Sequence, residues 1–143
     1  MAKKDLKFLL ETPVKSLDVG AKTASADGAS ADLKGYHSAV FIVDADAFTD
    51  GTHTIVLNES DDNSTFTAVA AADLSFVEAG AINSSGQIVI DGAADDDQAY
   101  VIGYAGNKRY IRVETTVSGA TTGAIYGALI VRGHKRAQGK IVT

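Results

Sequence analysis

Short bursts of β-branched and aromatic residues, broken by glycine, aspartate, asparagine and serine, restrict the fold of this chain more than any other feature. The clearest burst, residues 110–117 (YIRVETTV), places Ile111 and Val113 on one side and Arg112 and Glu114 on the other. Such alternation predicts a strand with one buried face. Similar bursts recur about every 8–12 residues, which is typical of an all-β sandwich or barrel.

The remaining bursts predict strands at residues 7–17, 36–43, 53–58, 66–69, 86–90, 100–104 and 124–132. Val40 to Val43 is continuously apolar, as in a strand covered on both faces. Pro13 is the only proline, and it would put the first segment at a sheet edge because proline cannot donate to the ladder. Residues 70–80 leave two interpretations open, a helical turn or a strand at Phe76-Val77.

Polar segments between the bursts predict the connections. Residues 19–32 are small and polar, so we interpret them as a surface loop. Turn-forming residues predict further connections at Asp44, Asp46 and Asp50-Gly51, at residues 59–64, and at the hairpin-like pair Gly106-Asn107. The whole pattern predicts an all-β chain: one antiparallel, jelly-roll-like β-sandwich of roughly eight strands with extended terminal arms. Its parts are an N-terminal arm, edge strand and loop (1–35), the sandwich core (36–133) and a basic C-terminal tail (134–143).

Composition narrows the functional classes. The chain has no cysteine, which excludes disulfides, thiolate metal sites and cysteine nucleophiles. Its net charge of −5 disfavours a nucleic-acid coat or a protein that binds anionic membranes. No apolar run is long enough for a membrane-spanning helix, and the first residues do not match a signal peptide. We therefore expect no nucleic-acid or membrane partner, and a protein that stays in the compartment where it is made.

Positive charge is concentrated at the two ends of the chain. No acidic residue follows Glu114, while the first residues carry three lysines around Asp5. Two interpretations stay open for these ends, an unstructured solubilising segment or an arm that orders on an acidic partner. In the second, the partner-binding residues are Lys3, Lys4, Lys7, Arg132, Lys135, Arg136 and Lys140.

Patterns for catalysis or cofactor binding are weak. His37, His53 and His134 are far apart in sequence, and no GxSxG motif occurs, so we expect neither an enzyme nor a metal or other cofactor. The run Asp95-Asp96-Asp97 could bind a hard cation, but a solvated turn is the favoured interpretation.

Four tyrosines in the C-terminal half suggest either base stacking or ordinary strand packing: Tyr100, Tyr104, Tyr110 and Tyr126. Because the chain is acidic overall, strand packing is favoured.

Two stretches carry a resemblance to a known group of proteins. Residues 54–74 (TIVLNESDDNSTFTAVAAADL) and 99–136 (AYVIGYAGNKRYIRVETTVSGATTGAIYGALIVRGHKR) resemble small capsid decoration, or cement, proteins encoded among the head genes of tailed bacteriophages. The resemblance spans residues 36–136 and carries no catalytic motif.

The resemblance implies a non-enzymatic virion protein, made in the host cytoplasm, that binds the outer surface of the major capsid protein lattice and stabilises it. It also implies self-association as a dimer or trimer at a symmetry axis. Two alternatives remain: a neck, tail or receptor-binding module of the phage, and a carbohydrate- or calcium-binding β domain.

Overall fold

The computed structural model describes residues 9–76 and 82–135, apart from the side chain of Phe76. Within these ranges the chain forms eleven strands and two short 3₁₀ helices, Ala71–Asp73 and Ala93–Asp95. The strands are β1 (Val14–Lys22), β2 (Ala26–Asp27), β3 (Ala31–Asp32), β4 (Tyr36–Phe48), β5 (Thr52–Ser60), β6 (Thr67–Ala68), β7 (Leu74–Phe76), β8 (Ile88–Ile90), β9 (Gln98–Tyr104), β10 (Tyr110–Ser118) and β11 (Ala124–Lys135).

These strands form two antiparallel sheets that pack face to face, so the prediction of an all-β sandwich is confirmed. The first sheet has the order β1-β11-β4-β9-β7. The second has the order β2-β10-β5-β6, with β3 also paired to β10 and β8 to β5. The expected strand number of roughly eight was too low, because β2, β3 and β7 are only two or three residues long. Segments this short leave no alternation to detect in the sequence.

The core lies between the sheets and is built by the residues that alternate inward. In β4, Phe41 and Val43 are fully buried, and they face a second sheet in which Ile111 and Val113 of β10 are also fully buried. The alternation predicted for β10 is therefore confirmed. Burying a large apolar side chain contributes about 1.5–3 kcal/mol, so this two-layer core is the main stabilising element of the fold.

Strand β4 continues further than the sequence pattern indicated. We expected a turn from Asp44 onward, but the strand runs to Phe48. The reason is the period of two: Asp44 and Asp46 point to solvent, while Ala45 between them is 3% exposed and faces the core. The predicted turn is confirmed only at Asp50-Gly51, where Gly51 has a φ of +90°.

The interpretation of residues 19–32 as a surface loop is wrong for most of that segment. β1 continues to Lys22 at the edge of the first sheet, and β2 and β3 then pair with β10 in the second. Gly28 permits this crossing, since a Cβ there would lie 2.5 Å from both Ser16 O and Ser16 Oγ. The Ser16 hydroxyl donates to Ala29 O and accepts from the Val113 N–H, each at 2.8 Å. One edge of the sandwich is thereby closed.

Connections between the longest strands cross from one sheet to the other. β9 belongs to the first sheet and β10 to the second, so the interpretation of Gly106-Asn107 as a hairpin turn is wrong. The polar turn at 59–64 does join paired antiparallel strands, β5 and β6, as expected. Residues 70–76 contain both of the structures left open there, a 3₁₀ turn followed by strand β7, while Val77 lies outside the described residues.

The sandwich has two ends. We call the end where β4 begins and β11 finishes the terminal end, and the opposite end, where β4 finishes and β11 begins, the far end. At the far end the Asp50 carboxylate accepts hydrogen bonds from the backbone N–H groups of Thr121, Thr122 and Gly123. These bonds, led by that of Gly123, hold the pKa of Asp50 below its ordinary value.

Candidate functional site

Both ends of the described chain meet side by side at the terminal end. The His134 N–H donates to Leu9 O at 3.0 Å, and the Glu11 N–H donates to Arg132 O at 2.8 Å. The basic segments 1–8 and 136–143 are therefore attached to the sandwich at neighbouring points. Lys3, Lys4, Lys7, Arg136 and Lys140 belong to those segments and lie outside the described residues.

The other two predicted partner-binding residues, Arg132 and Lys135, lie together at this end but already have contacts within the chain. Arg132 Nη1 donates to Asp32 O at 3.1 Å, and its guanidinium lies 4.8 Å from the centre of the Tyr36 ring. Arg132 Nε is buried and has no hydrogen-bond partner among the residues that the structure describes. Arg132 therefore stabilises the terminal end by linking β11 to β3 and to the first residue of β4.

Lys135 is more accessible. Its Nζ lies 3.7 Å from Glu11 Oε2, and 53% of its side chain is exposed. The Glu11 carboxylate also accepts from the Thr12 N–H and from the Tyr36 hydroxyl, and these bonds, with Lys135, lower the pKa of Glu11. A pair this exposed contributes little to stability, so Lys135 can exchange Glu11 for an acidic partner at small cost.

A groove of about 540 Å³ opens beside these residues. Its walls are the turn before β4 (33–35), the first residues of β4 and the connection between β9 and β10 (105–109), with Asp61 at one side. Because antiparallel strands return to the same edge, segments about 70 residues apart in sequence meet here.

Tyr104 supports the floor of the groove. Its hydroxyl donates to Glu59 Oε2 at 2.6 Å and accepts from the Lys108 N–H at 3.0 Å. Burial, with the hydrogen bond to Glu59, raises the pKa of Tyr104 well above its ordinary value, so the group stays protonated. Gly106 lies against the ring, where a Cβ would come within 2.5 Å of three ring and hydroxyl atoms. The connection at 105–109 is thus held in place by the ring and the protonated hydroxyl of Tyr104.

Two cations of the groove are paired with acids, one in the turn after β5 and one in β3. Lys108 Nζ lies 2.7 Å from Asp61 Oδ2, and this hydrogen bond raises the pKa of Lys108. Arg109 makes two parallel bonds of 3.0 Å to Asp32, which lower the pKa of that carboxyl. Lys34 and His37 lie exposed at the rim. Lys34, Lys108 and Arg109 were not among the predicted partner-binding residues, because only the pairing of the strands reveals that their loops share one end with Lys135.

The far end has the opposite charge. Its segments 44–51, 91–97 and 118–123 contain no lysine or arginine, and the first two carry seven aspartates. Asp97, with a φ of +54°, lies beside Asp46, and this hydrogen-bonded neighbour raises the pKa of Asp97. Across residues 9–76 and 82–135, no three His, Asp or Glu side chains are grouped so that they could hold a metal ion. Among these described residues, Asp95-Asp96-Asp97 therefore do not form such a group of metal ligands.

The three histidines occupy separate environments. His53 is fully buried, its Nε2 donates to Asp50 O at 3.0 Å, and its Nδ1 lies 3.2 Å from the Tyr126 hydroxyl. His134 is hydrogen-bonded to Ser38 Oγ at 2.7 Å, and it lies in β11, which we had expected to end before the tail. Tyr126 is itself fully buried, which agrees with strand packing for that tyrosine.

Comparisons with known proteins add no family to this description. No protein-family model matches the chain, and a search of curated proteins also gives no match. Among the described residues, none of the helices has the length and apolar character needed to cross a membrane.

Proposed function

We propose that this chain is a non-enzymatic decoration protein of a bacteriophage capsid. In this proposal its terminal end binds the outer surface of the major capsid protein lattice and stabilises it. The observation that carries the proposal is that the two basic terminal segments start side by side at one end of the sandwich. Lys34 lies exposed at the groove beside them, while Lys135, Lys108 and Arg109 are paired there with Glu11, Asp61 and Asp32.

The charge distribution also supports an orientation. The far end carries seven aspartates in residues 44–51 and 91–97, so an acidic partner surface would repel it and attract the basic terminal segments. A dipole of this kind steers encounter and sets orientation more than it adds affinity. Modest affinity per copy is sufficient on a lattice, where many linked contacts act together.

Binding to expanded phage heads tests this proposal. We expect the full chain to co-sediment with heads, and the bound fraction to fall as salt rises, because screened charges contribute less. Replacing Lys3, Lys4, Lys7, Arg136 and Lys140 by Gln should weaken binding by about tenfold or more and flatten the salt dependence. Each lost contact needs to contribute only about 0.3 kcal/mol for that effect.

The matched control neutralises lysines elsewhere on the sandwich. Lys15 and Lys22 of β1 lie away from the groove, and the double variant Lys15→Gln/Lys22→Gln should bind heads with nearly the affinity of the wild type. Equal binding by the five-site variant and the wild type, with the same salt dependence, would refute the proposed role of the basic ends.

A copy count separates the head from the neck or tail. Quantitative mass spectrometry of purified virions should find hundreds of copies per particle for a protein that covers the capsid. A dozen copies or fewer would assign the chain to the neck, tail or a vertex. Its absence from virions would contradict the structural proposal and leave ligand-binding alternatives.

A further inference from the structure

Three aspartates of this chain are followed directly by glycine: Asp27, Asp50 and Asp91. Glycine has no side chain to shield its backbone nitrogen, so an Asp–Gly pair is especially open to attack by that nitrogen on the aspartate carboxyl group. The reaction also needs a carboxyl group and a nitrogen that are not held by other contacts. The three pairs differ in whether these two groups are held.

At Asp27 the following nitrogen is held. The Gly28 N–H donates to Val113 O at 2.9 Å. A Cβ at Gly28 would collide with the same oxygen and lie 2.5 Å from Ser16 O, so the backbone has no room to rotate. The Gly28 nitrogen can therefore reach the Asp27 carboxyl group only after this edge of the sandwich opens.

At Asp50 the carboxyl group is held. Its Oδ1 accepts hydrogen bonds of 2.6–3.1 Å from the backbone N–H groups of residues 121–123. These bonds keep the group ionised, and a carboxylate is a poor electrophile because its negative charge repels the attacking nitrogen. A Cβ at Gly51 would also lie 2.7 Å from Ala120 Cβ, so this backbone is crowded as well.

At Asp91 both groups are accessible. Asp91 is exposed, and in the described part of the chain neither its carboxyl group nor the Gly92 N–H has a hydrogen-bond partner. The hydrogen bonds of this pair use other atoms: the Asp91 N–H donates to Asp95 Oδ2 at 3.1 Å, and Gly92 O accepts from the Asp95 N–H at 3.0 Å. A Cβ at Gly92 would meet nothing within 4 Å, so a ring has room to form here.

We propose that Asp91 is a site of spontaneous isomerisation to isoaspartate. The Gly92 nitrogen attacks Cγ of the neutral Asp91 carboxyl group and forms a new Cγ–N bond. The amide proton and the carboxyl hydroxyl leave together as water, which gives a cyclic succinimide. Water then adds to one of the two ring carbonyls. Cleavage of the original peptide C–N bond gives isoaspartate, in which the chain runs through Cβ and Cγ, whereas cleavage of the new bond restores aspartate.

The modification lengthens the backbone by one carbon directly after β8. Ile90, the last residue of β8, is 1% exposed and pairs with the buried His53. The Asp91 N–H also holds the carboxylate of Asp95 in the following 3₁₀ turn. We therefore expect isomerisation to loosen this turn at the far end and to leave the terminal end unchanged. Head binding at the terminal end should be the same before and after modification.

Incubation of the folded full chain at mildly acidic pH tests the proposal, because the reaction needs the protonated carboxyl group. Electron-transfer dissociation of proteolytic peptides then measures isoaspartate at each Asp–Gly pair. We expect isoaspartate to accumulate at Asp91 about tenfold or more faster than at Asp27 or Asp50, because each of those pairs must first break hydrogen bonds. In concentrated urea the three rates should become similar, since the fold no longer protects two of the pairs.

Two variants provide controls at the site itself. Asp91→Glu has one more methylene, which disfavours ring closure, and should remove the product at this position. Gly92→Ala shields the nitrogen and should slow the reaction. It should leave the melting temperature nearly unchanged, because the Gly92 φ of −162° is extended backbone and an added Cβ meets nothing within 4 Å.

Equal rates at Asp91 and Asp27 in the folded chain would overturn the inference, as would a rate at Asp91 that rises in urea as much as the rate at Asp27. These measurements use the isolated chain, so their outcome is separate from the test of the proposed capsid function.

Discussion

The outer sides of the two sheets differ in the contacts that their side chains make within the chain. On the second sheet, Arg112 binds Glu114 at 2.9 Å and Asp27 at 3.5 Å, and its guanidinium lies 4.0 Å from the centre of the Phe66 ring. Asn58 donates to the same Glu114 carboxylate. On the outer side of the first sheet, Ile42 lies between Leu129 and Val101, and these two side chains are 36% and 42% exposed. The second sheet thus presents paired charges on its outer side, while the first presents partly exposed apolar side chains.

The largest effect should come from disturbing the closed edge, where the segment at Gly28 crosses from the first sheet to the second. Gly28→Ala drives a Cβ to within 2.5 Å of Ser16 O at the closed edge, and we expect a loss of about 3 kcal/mol in the free energy of unfolding. Gly20→Ala is the matched control, because a Cβ there meets nothing within 4 Å. Urea denaturation followed by circular dichroism measures both. Equal stability of the two variants would contradict the tight crossing at Gly28.

A smaller loss should follow from breaking the charged face. Arg112→Ala removes the ion pairs to Glu114 and Asp27 and the contact with Phe66, and we expect a loss of about 1–2 kcal/mol. Lys15→Ala breaks an exposed pair with Asp18 on the first sheet and should change stability by less than about 0.5 kcal/mol. If urea denaturation gives the same loss in the free energy of unfolding for both substitutions, the contacts of Arg112 stabilise the fold no more than an exposed ion pair does.

Acid should weaken the second sheet at the Asp32–Arg109 pair. Arg109 holds the pKa of Asp32 below its unfolded value of about 3.9, so the pair stabilises the fold above that pH. This contribution is lost as the pH falls through the lower pKa of the folded state. Asp32→Asn should therefore reduce the fall in stability between about pH 5 and pH 2. The effect should be smaller than that of Arg112→Ala, because 41% of Asp32 and 45% of Arg109 are exposed.

Thermal melts across this pH range measure the effect, and a second variant isolates the pair. Arg109→Gln should reduce the pH dependence by a large part of this effect, because the Lys34 N–H still donates to the Asp32 carboxylate, and the double variant should match Asp32→Asn alone. Additive effects in the double variant would show that the two residues act independently.

The smallest effect should come from Leu129 on the outer side of the first sheet. Leu129→Ala should change stability by less than about 0.5 kcal/mol. Its neighbour Ile130, fully buried on the other side of the same strand, should cost about 3 kcal/mol when replaced by Ala. Equal losses of stability for the two variants would contradict the opposite orientation of these two neighbours.

Local patterns in the sequence were enough for the fold class and for most strands. The alternation in residues 110–117 determines which side of β10 is buried, because the side-chain period of a strand is two. Pro13 correctly indicated an edge strand beside it, since β1 lies at the edge of the first sheet. The period of two also holds for Asp44 and Asp46, which alternate with the buried Ala45. We interpreted these aspartates as turn residues, and β4 was therefore predicted too short.

Only the tertiary structure decided which segments meet. The loop at 105–109 and the turn at 33–35 form one groove because β9 and β10 lie in different sheets, and a glycine–asparagine pair does not encode that crossing. The meeting of Leu9 with His134 likewise depends on the pairing of segments more than 120 residues apart. The sequence by itself determined the buried side of strands with clear alternation, such as β10, because the side-chain period of a strand is two. The packing of the sheets determined the groove at the terminal end and the Leu129–Ile42–Val101 row, because both are assembled from strands that are distant in sequence.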